Sequence, residues 1–211
     1  MQENPLIGDR NNEYQKASLF LSNLDSDWEA LITKVGKCNL KLSYELKPYQ
    51  ALIKSVIFQQ LHPAAGNAIF KRFLLSFNNQ FPKDQQILDS PSSQLKQCGL
   101  SQNKLNTIIE IAKNSTDGDF PNIHQFNKMN EIEIISTLTS IKGIGEWTAQ
   151  MLMIFNLGFF NIMPAKDLAI RKNYQALKCL KDSISPKEIL TISKLWHPYK
   201  SIASWYLWKM N

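Results

Sequence analysis

Ile141-Lys142-Gly143-Ile144-Gly145-Glu146-Trp147-Thr148-Ala149, followed by Pro164-Ala165-Lys166-Asp167, is the stretch on which the reading of this chain turns. Gly-Ile-Gly makes a tight turn whose backbone N–H groups can face outward. A helix is expected directly after it, because Trp147, Met151, Ile154 and Phe155 follow i, i+4, i+7, i+8 spacing. Glycines let a ligand approach the backbone closely, and a helix N-terminus offers unpaired N–H donors and partial positive charge, which together suit a phosphate. Asp167 follows 22 residues after Gly145, among basic neighbours. Taken singly, each half has an ordinary alternative. Gly-x-Gly fits any helix–helix turn that needs positive φ, and a lone aspartate near a helix start fits an N-cap.

The chain has 211 residues, 44% of them hydrophobic, enough for a substantial core in one large domain or two small lobes. A formal net charge of +6 and a pI near 9.1 favour polyanionic partners. No apolar run approaches the roughly 20 residues that span a bilayer, so no membrane association is expected. Met1-Gln2-Glu3-Asn4-Pro5 lacks the basic and apolar regions of a secretory leader. The expected location is intracellular, in the cytoplasm or nucleoid of a bacterium or the nucleus of a eukaryote. Cys38, Cys98 and Cys179 are odd in number and far apart, so neither a disulfide framework nor a zinc pattern is expected. No cysteine follows Cys179, so a C-terminal four-cysteine iron–sulfur loop is not expected.

Outward from the hairpin the chain reads as helices, with no alternating strand and no Asn-Gly or Asp-Gly turn. Helices are expected from about 14 to 24 and 26 to 35. Pro48 and Pro63 are each placed to begin the next two. A further helix is expected over 104–113 with Ser101 as its N-cap, and another to Leu138 capped by Asn130. Others are expected over 168–177, 186–195 and 198–209. Residues 81–92 form a breaker-rich connection with room for a short helix, and 114–121 a polar loop. The fold class is all-α.

Five ordered segments resemble the alkylation-repair branch of the HhH-GPD DNA glycosylase superfamily, DNA-3-methyladenine glycosylase II, over roughly Trp28 to Lys209. They are Phe58-Gln59-Gln60-Leu61-His62, Cys98-Gly99-Leu100-Ser101-Gln102-Asn103-Lys104, the hairpin Leu138 to Ala149, Pro164 to Lys172, and Trp196-His197-Pro198-Tyr199-Lys200-Ser201 to Trp205-Tyr206-Leu207-Trp208. The resemblance implies a single module over 1–211, with a helix-hairpin-helix at about 134–157, and a two-lobed helical fold with a DNA-binding cleft between the lobes. Too few residues precede Trp28 for an extra N-terminal β domain, so the compact form is expected. Lys166 stands where the family often has a small or acidic residue. Lys200 replaces a common arginine and loses its planar bidentate bonding.

The resemblance also implies a chemistry. An enzyme acting on a base must take the nucleotide out of the stack and fill the gap, with His62 or Leu61 as the wedge; the larger flat face of His62 favours it. A purine alkylated at N3 or N7 is cationic and is best held over aromatic faces, which points to Trp147, Trp208 and Tyr199. Such a base leaves readily, so one ionised carboxylate beside the developing oxocarbenium charge suffices, and Asp167 is the candidate. Lys166, Arg171 and Lys172 would favour its ionised form if close. Bifunctional relatives carry a nucleophilic lysine at the position of Trp147, so AP lyase activity is not expected. Gly143, Ile144 and Gly145 are expected to hold a DNA phosphate, aided by Lys104 and Lys200. Backbone carbonyls at Gly143 and Gly145 are expected to suit a structural Na+ or K+; no other cofactor is implied. The resulting expectation is a monomeric, monofunctional glycosylase removing alkylated purines such as 3-methyladenine from double-stranded DNA. The alternatives are a glycosylase for another lesion and a non-catalytic protein that binds DNA structure through the hairpin.

Overall fold

A computed structural model describes residues 10–210. The Met1–Pro5 reading lies outside them. Among the described residues every regular element is a helix. In chain order they are α1 (Arg10–Ser22), α2 (Ser26–Val35), α3 (Pro48–Phe58), α4 (Pro63–Leu75), α5 (Asp84–Asp89), α6 (Ser92–Gln97), α7 (Gln102–Thr116), α8 (Ile123–Phe126), α9 (Glu131–Thr139), α10 (Glu146–Leu152), α11 (Leu168–Leu177), α12 (Pro186–Ile192) and α13 (Lys200–Trp208). A π-helical turn, Met153–Leu157, continues α10, and a 3-10 turn, Ser193–Trp196, follows α12. Among the described residues no helix is long and apolar enough to cross a membrane.

Local chemistry accounts for the boundaries. Pro48, Pro63 and Pro186 stand in first turns, where a missing N–H costs nothing. Ser101, Asn130 and Ser185 cap α7, α9 and α12, each accepting an N–H from the first turn. The expected start of the last helix at Pro198 is corrected to Lys200, because Tyr199 has non-helical φ and ψ of −114° and 31°. α6 and α8 were not anticipated, and α7 runs into the expected loop to end at Thr116.

The chain forms two compact units. One comprises residues 10–42 together with 158–210; the other is Ser43–Leu157. In the first, Trp28 and Trp196 are almost fully buried and meet edge to face at 5.4 Å, with Tyr174 against the same Trp196 ring. Trp28, Trp196 and Trp205 are therefore core residues. The two chain segments of this unit are tied by Arg10, whose guanidinium donates to the Gly158 carbonyl and lies over Phe160. In the second, α7 and α10 pack on α3, and Phe73 anchors an aromatic cluster with Phe77 and Phe81. Its two chain ends are joined: Ser43 N–H donates to Phe155 O, and the Asn156 amide donates to Ser43 O and Leu46 O at 2.7 and 3.1 Å. Cys38 and Cys98 are buried, whereas Cys179 is exposed just past α11. Burial pushes the Cys38 thiol up to about 11.

Candidate nucleic-acid interface and active site

The hairpin lies in the Ser43–Leu157 unit. α9 ends at Thr139, the chain turns at Ile141–Gly143 with Ile144 N–H bonded to Ile141 O, and α10 begins at Glu146 with Gly145 as N-cap. Gly143 has φ +94°, and a Cβ there would run into the Thr107 hydroxyl on α7. Gly145 has φ −98° and open space where a Cβ would stand. Both glycines are exposed, flanking the buried Ile144. Among the described residues, the N–H groups of Gly143 and Gly145 meet no acceptor. Of the two carbonyls expected to suit a monovalent ion, that of Gly145 already accepts the Thr148 and Ala149 N–H groups, which leaves that of Gly143 better placed. No group of three or more His, Cys, Asp or Glu residues among the described residues is arranged to hold a metal.

Three of the five sequence segments border one open depression of about 660 Å3, lined by Gln60, Asn103, Lys104, Lys113, Lys142 and Gly143 among others. Gln59, on the loop after α3, donates its amide to Thr148 Oγ1 on α10 at 2.7 Å. Leu61 is half-buried and His62 is exposed. His62 caps α4, its Nδ1 accepting the Ala64 N–H at 3.3 Å. Lys104 is half-buried, and its ammonium donates to Ile57 O and Gln59 O at 2.9 and 2.8 Å. Burial pushes its pKa down. Trp147 is half-buried in the first turn of α10, and Met151 one turn on is buried.

The other unit carries Asp167, Tyr199, Lys200 and Trp208. Asp167 is the N-cap of α11, with Oδ1 accepting the Ile170 N–H at 3.0 Å. The sequence left this capping role open, and the structure gives it to the same residue that is the catalytic candidate. The Arg171 guanidinium, one turn on, donates to Ile184 O at 2.9 Å. Lys166 and Lys172 are exposed. α11 packs on α13, and the buried Asn173 amide donates to Leu207 O at 2.7 Å, next to the half-buried Trp208. One buried hydrogen bond thus fixes the helix that begins at Asp167 to the end of the helix that carries Trp208. Tyr199 meets Phe20 edge to face at 5.6 Å, and Lys200 is half-buried at the start of α13.

Sequence reasoning missed Asn173, Thr107 and the Gln59–Thr148 pair. Each acts on a residue far away in the chain, so periodicity carries no sign of it.

Comparison with known proteins sets this geometry among relatives. The model of the HhH-GPD superfamily, base excision DNA repair proteins, matches residues 53–198. DNA-3-methyladenine glycosylase 1 of Schizosaccharomyces pombe is 40% identical over 198 residues, covering 93% of this chain and 87% of that protein. The alkylbase DNA glycosidase-like protein mag2 of the same organism is 34% identical over 203 residues, 95% of each. A structure of the S. pombe 3-methyladenine DNA glycosylase in complex with abasic DNA superposes with a TM-score of 0.86 at 39% identity, covering 92% of this chain and 95% of that one.

Proposed function

Since the chain belongs to the HhH-GPD superfamily of base excision DNA repair proteins, we propose that it is a monofunctional DNA glycosylase that removes alkylated purines, chiefly 3-methyladenine, from double-stranded DNA. The observation that carries this is Asp167 at the head of α11, fixed by its own capping bond to Ile170. The same function is supported by the names of the S. pombe relatives, and DNA as partner by the abasic-DNA complex of one of them.

The reaction proceeds in steps. The hairpin around Gly143–Gly145 takes a phosphate on outward N–H groups, a contact independent of sequence. The damaged nucleotide leaves the stack, and His62 or Leu61 enters the gap. Trp147, Trp208 and Tyr199 offer ring faces to the cationic base. The C1′–N bond breaks with its electron pair going to the base, which departs neutral. Positive charge grows on the sugar, and the Asp167 carboxylate stabilises it more strongly in the transition state than in the ground state. Water then adds to C1′ and gives up a proton, leaving an intact abasic site. With Trp147 in the hairpin position where bifunctional relatives carry a lysine, no Schiff base forms there. A Na+ or K+ at the hairpin would draw on the Gly143 carbonyl.

The test is release of methylated bases from alkylated duplex DNA, resolved chromatographically, by wild type and Asp167→Asn. Asparagine can still cap α11, so the fold is preserved. Wild type should release 3-methyladenine, and the variant should lose about 100-fold or more while still binding DNA. Equal release by both would remove Asp167 from the mechanism; no release by wild type would leave a DNA-binding protein without this activity.

A further inference from the structure

The loop after α3 is fixed at both ends by different means. On its C-terminal side, Pro63 sets φ at the start of α4 and His62 Nδ1 takes the Ala64 N–H. On its N-terminal side, α3 stops at Phe58, the Gln59 N–H still closes on Ser55 and Val56, and Gln60 then turns at φ +53°. That is a left-handed conformation in a residue with a side chain, and it must be held by its surroundings. The last carbonyls of a helix lack N–H partners within it. Those of Ile57 and Gln59 are taken by the Lys104 ammonium at 2.9 and 2.8 Å.

Lys104 is badly placed for its own helix. It lies in the first turn of α7, three residues after the N-cap Ser101, where the helix's partial positive charge disfavours a cation. Half-burial adds a desolvation cost, which pushes its pKa down. The negative end of α3 and two charge-assisted hydrogen bonds offset both penalties. A lysine serving only a phosphate would not need this arrangement. A second tether acts on the same loop: the Gln59 amide reaches the buried Thr148 Oγ1, on the helix that leaves the hairpin.

We propose that Lys104 is a positioning residue, whose ammonium, together with the Gln59–Thr148 bond, holds residues 60–62 ready to enter the DNA stack, and that it is not a phosphate contact. The proposal rests on the reading that this loop acts on DNA. Its consequence is a wedge organised before DNA arrives, so that ordering the loop takes little from the binding free energy.

The experiment uses the full chain and three variants, Lys104→Met, Lys104→Arg and Thr148→Val. The probe is a duplex with a tetrahydrofuran abasic analogue beside 2-aminopurine, whose fluorescence rises when a wedge unstacks it; no base release is required. Lys104→Met should lose most of that rise and keep the wild-type dependence of binding on salt. It should release methylated bases about tenfold more slowly from fully paired DNA. That deficit should shrink to less than about twofold opposite a mismatch, where unstacking is easier. Lys104→Arg should recover at least half of the rise. Thr148→Val should lose part of it, and it decides the matter if Lys104→Met does not fold. A salt slope reduced by about 0.9, the signature of one lost phosphate contact, would overturn the proposal. So would a wild-type rise in Lys104→Met, or no rise with wild type. A wild-type rise without base release would instead sink the glycosylase reading and leave this one standing.

Discussion

At Gly143 the backbone turns through φ +94° with the Thr107 hydroxyl lying where a Cβ would go, while Thr107 itself donates to Asn103 O. The fold alone therefore demands glycine there. At Gly145, the N-cap of α10, neither φ nor space demands it, and the role we propose for it is close approach of a phosphate from outside. Gly143→Ala should lower stability by about 1–3 kcal/mol in thermal or urea unfolding, as overpacking does. Gly145→Ala should unfold like wild type and bind DNA on the order of tenfold more weakly, the loss of about one hydrogen bond to a charged group. Equal DNA affinity in Gly145→Ala would place the phosphate elsewhere. At the other proposed face, Trp208→Ala should slow excision of cationic bases roughly tenfold or more, while binding to undamaged DNA changes less. Equal losses on both would mean that Trp208 merely supports the surface.

Among the elements, α2 and α11 share one electrostatic knot. Asp25 caps α2 by accepting the Asp27 and Trp28 N–H groups, and Lys178, just past the end of α11, donates to Asp25 and Asp27 at 2.6 and 2.8 Å. Burial alone would raise the Asp25 pKa, but Lys178 and the two N–H groups hold it below 3.8. Burial alone would lower that of Lys178, but the two aspartates hold it above 10.5. The Asp25 contribution is therefore complete above pH 3.8 and fades as pH falls through its lower folded value. The Lys178 contribution is complete below pH 10.5 and fades as pH rises through its higher folded value. Lys178→Met should melt below wild type between these limits, by no more than about 1 kcal/mol given the exposure of both aspartates. The gap should close toward either extreme; a gap constant with pH would refute the charge argument. Elements of this kind were legible where sequence carries a stop or start signal. Ser26–Val35 and Leu168–Leu177 match their expected bounds, and Pro48, Pro63, Ser101 and Asn130 open their helices as expected. α6 and α8, of six and four residues, are too short to show periodicity. The π turn Met153–Leu157 changes hydrogen-bond register while keeping the apolar pattern, so sequence hides it. In the candidate site, the sequence shows the tight turn at Gly143 and an aspartate at the head of α11, because both follow from the residue type itself. Lys104 was legible as a cation, and its carbonyl partners were not.

For the whole molecule, the Ser43–Leu157 unit is continuous in sequence, whereas its companion is built from two separated segments. The continuous unit has its entry and exit fastened by Asn156 and by the Ser43–Phe155 bond. Residues 43–157 expressed alone should show helical circular dichroism and a single cooperative melting transition, and Asn156→Leu should lower that transition. A fragment with helix content but no cooperative transition would mean that this unit needs the rest of the chain to pack. The cysteines give the molecule another property. Two thiols are shut away, one of them with its ionisation pushed up to about 11, and the third lies open beyond α11. Alkylating reagents require thiolate and access, so a maleimide dye should attach at Cys179 alone. The native chain thereby carries a built-in single-site address for fluorescence anisotropy or energy transfer, with no cysteine needing to be engineered out.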